Sequence, residues 1–156
     1  MAATANATRE MAQHELVITR TFDAPRALVF RAWSAPEHMV RWLGPKNFSV
    51  PSCTMDFRPG GAYRACICSP DGNEYWMRGI YREIVEPERL MFTFSWEEEG
   101  ERGRENLVTV TFADQGNKTR MTFRQAFFET VETRDSHNEG WSECFDRLAQ
   151  FLAGER

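Results

Sequence analysis

The sequence predicts an α+β fold in the order β-α-α-β(six)-α, a curved antiparallel sheet around a long C-terminal helix. Three observations predict it. One strand pattern comes first and is followed by two short helical patterns. From Phe48 to Phe127 the chain then alternates extended segments with turns rich in Gly, Pro, Asp and Asn, the mark of successive hairpins. An amphipathic run from Ser136 to Gly154 closes the chain. A hairpin sheet needs one face covered, and only that last helix is long enough to cross it. Lying in the curve, it leaves room for a pocket beside it.

Each element has its own justification. Glu15 to Asp23 sets Leu16, Ile18 and Phe22 against Val17, Thr19 and Thr21, a strand of β-branched character. Pro25 suits a first helical turn, and Ala27, Leu28, Phe30, Arg31 and Trp33 continue at helical spacing. Ser34 and Glu37 form the spacing of a capping box for a second short helix, which Gly44-Pro45 ends. Phe48 to Phe57 is a strand holding Pro51, so an edge position or a bulge is expected. Ala62 to Ser69 and Glu74 to Val85 flank the turn Pro70-Asp71-Gly72-Asn73. Leu90 to Trp96 places Leu90, Phe92, Phe94 and Trp96 on one face. Glu97 to Gly103 reads as a solvated loop, and Asn106 to Ala113 pairs with Thr119 to Phe127. The closing helix is expected to start at Ser136, with Glu139 completing a second capping box. Trp141, Phe145, Leu148 and Leu152 form its apolar stripe over a length of about 25 Å.

At 156 residues the chain fits one domain, expected over 14–156 behind a loose tail at 1–13. Aromatics make up 13%, with 12 Phe and 5 Trp, so either a lined pocket or plain filling of a curved sheet accounts for them. The formal charge of -4 and the lack of a Lys/Arg block argue against a nucleic-acid surface. Cys53, Cys66, Cys68 and Cys144 include no Cys-x-x-Cys, and His14, His38 and His137 show no zinc spacing. Free thiols in a reducing cytoplasm are expected, without metal or cofactor. No apolar run approaches the roughly 20 residues of a membrane span, and the N-terminus lacks a signal-peptide core.

Strand register nominates the pocket. With Arg64, Arg120, Thr122 and Arg124 facing outward, Tyr63, Tyr75, Met77, Phe94, Trp96, Phe123 and Gln125 face the helix. Trp141 and Phe145 oppose them, and Trp42, Phe48 and Trp141 are placed to close the mouth. For any one of these aromatics, plain core and ligand contact are both open. Gln125 is a polar amide on an apolar face, so it either orients a ligand or bonds Tyr63 or a buried water. Asp56 and Arg58 read as a structural pair before Gly60-Gly61, with anion binding as the alternative. His137 has no nucleophile or acid beside it in the pattern and reads as an exposed or capping residue; Cys144 reads as a small hydrophobe. No catalytic residue is assigned.

The element order resembles the helix-grip fold of the START-like, or SRPBCC, superfamily, which includes Bet v-like proteins. Thr21-Phe22-Asp23-Ala24-Pro25-Arg26, Val29-Phe30-Arg31-Ala32-Trp33 and Trp42-Leu43-Gly44-Pro45 narrow the match. So do Asp56-Phe57-Arg58-Pro59-Gly60-Gly61, Pro70-Asp71-Gly72, the run from Gly79 to Leu90 and Gly140-Trp141. They resemble the family of the activator of the 90-kDa heat-shock protein ATPase, over about residues 15 to 153. The resemblance implies a cavity for a small apolar or aromatic molecule, because superfamily relatives carry lipids, hormones or polyketides. Some relatives cyclise polyketides, so a cyclase- or aromatase-like enzyme is the alternative, with Gln125, Tyr63 and Tyr75 as its polar groups. A co-chaperone-like interaction domain is the third reading. The eukaryotic activator uses a separate N-terminal domain to bind its chaperone, and this chain has no room for one, so no chaperone partner is expected. A homodimer stays open.

Overall fold

The computed structural model describes residues 14–98 and 103–154. The expected tail at 1–13, and the part of the expected loop at 99–102, lie outside the described residues. Seven strands form one antiparallel sheet: β1 (Leu16–Phe22), β2 (Ser49–Met55), β3 (Ala62–Cys68), β4 (Glu74–Val85), β5 (Arg89–Trp96), β6 (Asn106–Gln115) and β7 (Lys118–Ala126). Their order is β1-β7-β6-β5-β4-β3-β2, so five successive hairpins join β2 through β7 and β1 returns to pair with β7. Helices α1 (Arg26–Ala32) and α2 (Pro36–Met39) fill the connection from β1 to β2, and α3 (Val131–Gly154) closes the chain. The curved sheet with its long final helix is the helix-grip α+β fold.

Alternation fixes which face α3 covers. In β1, Leu16, Ile18 and Phe22 are buried while Val17 is exposed. In β7, Thr119, Met121, Phe123 and Gln125 are buried while Arg120 and Arg124 are exposed. The register Ile18↔Phe123 and Val110↔Phe123 then brings three strands' apolar residues onto one line across the sheet. From the helix, Phe145, Leu148 and Leu152 are buried, and the Phe145 ring lies 5.3 Å from that of Phe123. Pro51 is both on an edge and at an irregularity, since β2 ends the sheet and its pairing with β3 shifts between Ser49 and Ser52.

Two expected helix starts are corrected. The chain enters α3 five residues before Ser136, and Thr130 caps it by accepting the Thr133 backbone N–H at 3.2 Å. Ser136 and Glu139 are therefore interior residues, and the 24 residues of α3 span about 36 Å rather than 25 Å. Nor do Ser34 and Glu37 form a capping box. Ala35 precedes α2 without a side-chain cap, and the Ser34 hydroxyl donates back to the Arg31 carbonyl of α1.

The ladder between β4 and β5 is interrupted locally, just before a register shift between Tyr81 and Glu83. Regular pairing runs through Arg78↔Ser95 and resumes at Tyr81↔Phe92. In the gap, the Ile80 N–H donates to the Thr93 hydroxyl at 2.8 Å, and the Tyr63 hydroxyl donates to the Thr93 carbonyl at 2.7 Å. Side chains thus satisfy backbone groups that the ladder leaves free. Gly79 makes this approach feasible, because a Cβ there would lie 1.8 Å from the Thr93 carbonyl oxygen.

Candidate functional site

A cavity of about 420 Å³ lies between the sheet and the N-terminal half of α3. That is within the range that holds small molecules. Its sheet wall comes from Ile67, Tyr75, Met77, Phe94 and Trp96. The segment after α2 contributes Leu43, Gly44, Pro45 and Phe48. The helix wall has two characters: Gly140, Trp141 and Cys144 at depth, and Glu132, Thr133, Ser136 and His137 over the first two turns. Glu132 and Ser136 are exposed, which places the mouth at the start of α3.

Local geometry holds each wall. Gly44 adopts a positive φ of 98°, turning the chain out of α2 toward β2. Arg147 of α3 then donates from Nη1 to the carbonyls of Leu43, Gly44 and Pro45 at 2.9–3.1 Å. The Gly44 N–H donates to Cys144 Sγ at 3.2 Å, and the Lys46 N–H to Glu143 Oε1 at 2.9 Å. Across the cavity, Trp96 Nε1–H donates to His137 Nε2 at 2.9 Å. Indole has only a donor to offer, so Nε2 is the acceptor and Nδ1 carries the proton, 3.0 Å from the Thr133 carbonyl it bonds. His137 is thereby a neutral wall residue.

The charge of the site follows. Among the cavity-lining residues no Lys or Arg occurs, and Glu132 is the single carboxylate. Burial pushes the Cys144 thiol up to about 12, so it is a protonated, unreactive part of the wall. Among the described residues no group of three His, Cys, Asp or Glu is placed to hold a metal ion. None of the described helices is long and apolar enough to cross a membrane.

The nominated residues divide. Phe48, Tyr75, Met77, Phe94, Trp96 and Trp141 meet around the cavity. Trp42 does not close the mouth; it has no exposed surface, and its Nε1–H bonds the Ala32 carbonyl at 2.9 Å. Phe123 and Phe145 pack on one another in the solid core, 5.3 Å apart, outside the cavity lining. Gln125 is also behind the wall. Its Oε1 accepts Trp141 Nε1–H at 2.9 Å and its Nε2 donates to Asn106 Oδ1 at 3.2 Å, so both ends of the amide are used internally. Tyr63 lines a second, smaller chamber of about 30 Å³ instead, together with Trp33, Cys53, Met55 and Tyr81. Leu43, Met77, Phe94 and Trp141 border both spaces and form the partition between them. Arg58 Nε and the Asp56 carboxylate pair at 2.9 Å, on the surface and away from the cavity.

His137, Thr133, Ser136 and Glu132 were not among the nominated ligand residues. A helix starting at Ser136 leaves Glu132 and Thr133 outside it and makes Ser136 and His137 capping residues rather than wall residues. Thr130, a good N-cap type, was the available signal, but Ser136-x-x-Glu139 has the fuller pattern.

Residues 23–153 match the family described as Activator of Hsp90 ATPase homolog 1-like protein. A solved structure of an uncharacterized protein from Rhizobium leguminosarum is 31% identical, covers 89% of this chain and 93% of its own, and superposes with a TM-score of 0.77. One from Nitrosomonas europaea is 27% identical over 92% of this chain and 97% of its own, with a TM-score of 0.78. A Silicibacter pomeroyi protein bearing the same family's name is 24% identical over 91% and 99%, with a TM-score of 0.81, and shares the fold. No curated protein matches the chain significantly.

Proposed function

The chain belongs to the family of Activator of Hsp90 ATPase homolog 1-like proteins, and from that premise we propose that it binds a small apolar or aromatic molecule between the sheet and α3. The observation that supports this reading is the 420 Å³ space walled by Phe48, Tyr75, Phe94, Trp96 and Trp141. Rings on several sides bury an aromatic ligand's surface, while the scarcity of charge disfavours a strongly ionic one. The same reading takes 14–156 as a single domain acting in the cytoplasm.

One substitution separates an occupied cavity from an incidental one. Gly140 lines the space on α3, and a Cβ there meets only Pro45 Cγ at 4.0 Å. Gly140→Leu therefore fills the cavity while replacing a poor helix former with a good one. Native mass spectrometry of freshly purified protein should show a bound small molecule, and aromatic probes should quench Trp96 and Trp141 emission. The variant should keep or raise its Tm and lose both signals. Probes that bind wild type and Gly140→Leu equally would place the site elsewhere. No binding at all would move an interaction role on the outer surface ahead, and turnover of a bound polyketide-like compound would favour the cyclase-like alternative.

A further inference from the structure

Among the described residues the buried side-chain nitrogens and oxygens are partnered with one exception. Trp42 and Trp141 bond the Ala32 carbonyl and Gln125, Tyr63 bonds the Thr93 carbonyl, and Thr119 bonds the Ala24 carbonyl. Among the described residues, Trp33 Nε1 is the one buried side-chain nitrogen or oxygen without a hydrogen-bond partner. Trp33 is only 3% exposed. Its ring stacks near those of Phe123 and Trp141, each with centroids 6.4 Å away, a setting that a phenyl ring would fill without a stranded donor. An unpaired buried N–H is costly, so a native one calls for an acceptor supplied from outside the chain.

Trp33 also lines the inner chamber of about 30 Å³, which is large enough for one or two heavy atoms but not for a whole ligand. The partition from the main cavity includes Met77, an unbranched thioether that repacks readily. Neither space is lined by Lys or Arg, so nothing there offsets a buried anion. We propose that the inner chamber takes an uncharged hydrogen-bond acceptor of the bound molecule, a ketone, quinone or ester oxygen, on Trp33 Nε1–H. The ligand class is thus a neutral aromatic carbonyl compound, its ring body in the main cavity and its oxygen past Met77. This inference rests on the cavity-binding reading above.

The test uses two probes of equal shape, acetylnaphthalene and isopropenylnaphthalene, which differ in a carbonyl against a methylene. Titration should show the acetyl compound binding about tenfold more tightly. In a proton–nitrogen correlation spectrum, the assigned Trp33 indole proton should move downfield with the acetyl compound and stay with the hydrocarbon. Trp33→Phe should remove the preference while leaving hydrocarbon affinity within about twofold; should that variant not fold, the wild-type indole shift decides alone. Equal affinity for both probes with an unmoved Trp33 signal overturns the carbonyl assignment and leaves the cavity reading standing. If neither probe, nor any other neutral aromatic, binds in the main cavity, both fall.

Discussion

A glutamine without exposed surface belongs in an apolar sheet face only if both ends of its amide find partners. Gln125 joins Trp141 of α3 to Asn106 of β6, and Asn106 passes the chain on to the Phe127 carbonyl at 3.3 Å. Gln125→Leu keeps the volume but strands the Trp141 Nε1–H and Asn106 Oδ1, so it should cost about 1–3 kcal/mol in chemical denaturation. A loss within about 0.5 kcal/mol would show that the network adds little to this fold. The oddity of that amide was legible from the strand alternation, since Arg124 just before it faces out and Phe123 two residues before it faces in. Its partners were not. Trp141 lies on a helix packed across the sheet, and the choice between it, Tyr63 and a ligand depends on how that helix rotates, which alternation in β7 does not encode.

Two elements carry the architecture in different ways. Leu148 sits in the C-terminal half of α3 with no exposed surface, and Leu148→Ala should cost about 2–5 kcal/mol by opening a void between α3 and the sheet. At the β4–β5 gap the constraint is closeness. Gly79→Ala would push a methyl to 1.8 Å from the Thr93 carbonyl oxygen and 2.6 Å from the Tyr63 ring, so the two strands must separate. We expect a loss of at least about 1–3 kcal/mol, read as a lowered urea midpoint at unchanged slope. A neutral Gly79→Ala would mean that β4 slides freely there. The strands themselves could be read from the sequence because alternation with a polar outer face is a strong periodic signal. The gap could not, since a broken ladder leaves no trace in hydropathy. The start of α3 differs from the expectation because local capping chemistry at Ser136 resembles a true terminus, while the residues before it are held helical from Thr130.

Seen as a whole, the molecule hides several weak acids. Burial pushes the Cys53 thiol up to about 11 and that of Cys144 to about 12, and it raises the Tyr63 and Tyr81 hydroxyls as well. Below the ordinary thiol value of 9.0 these groups hold their protons in folded and unfolded chains alike. Above it the unfolded chain releases them first, so stability should fall as pH climbs from about 9 toward 12. Thermal melts across that alkaline range should show a steep decline, and Cys144→Ala should flatten it; parallel slopes would remove Cys144 as a contributor. The attachment of Leu43 to Lys46 onto α3 has a different consequence, one for traffic. Three carbonyls on one guanidinium, a thiol and a carboxylate make that side of the entrance a fixed post of backbone, whereas the opposite side meets α3 through side chains, with the Trp96 indole bonded to His137. Whatever enters should swing Trp96 as the door. Hydrogen exchange during ligand binding should then change along β5 near Trp96 while the Gly44 and Lys46 amides keep their protection. If exchange rises at those two amides instead, post and door are reversed.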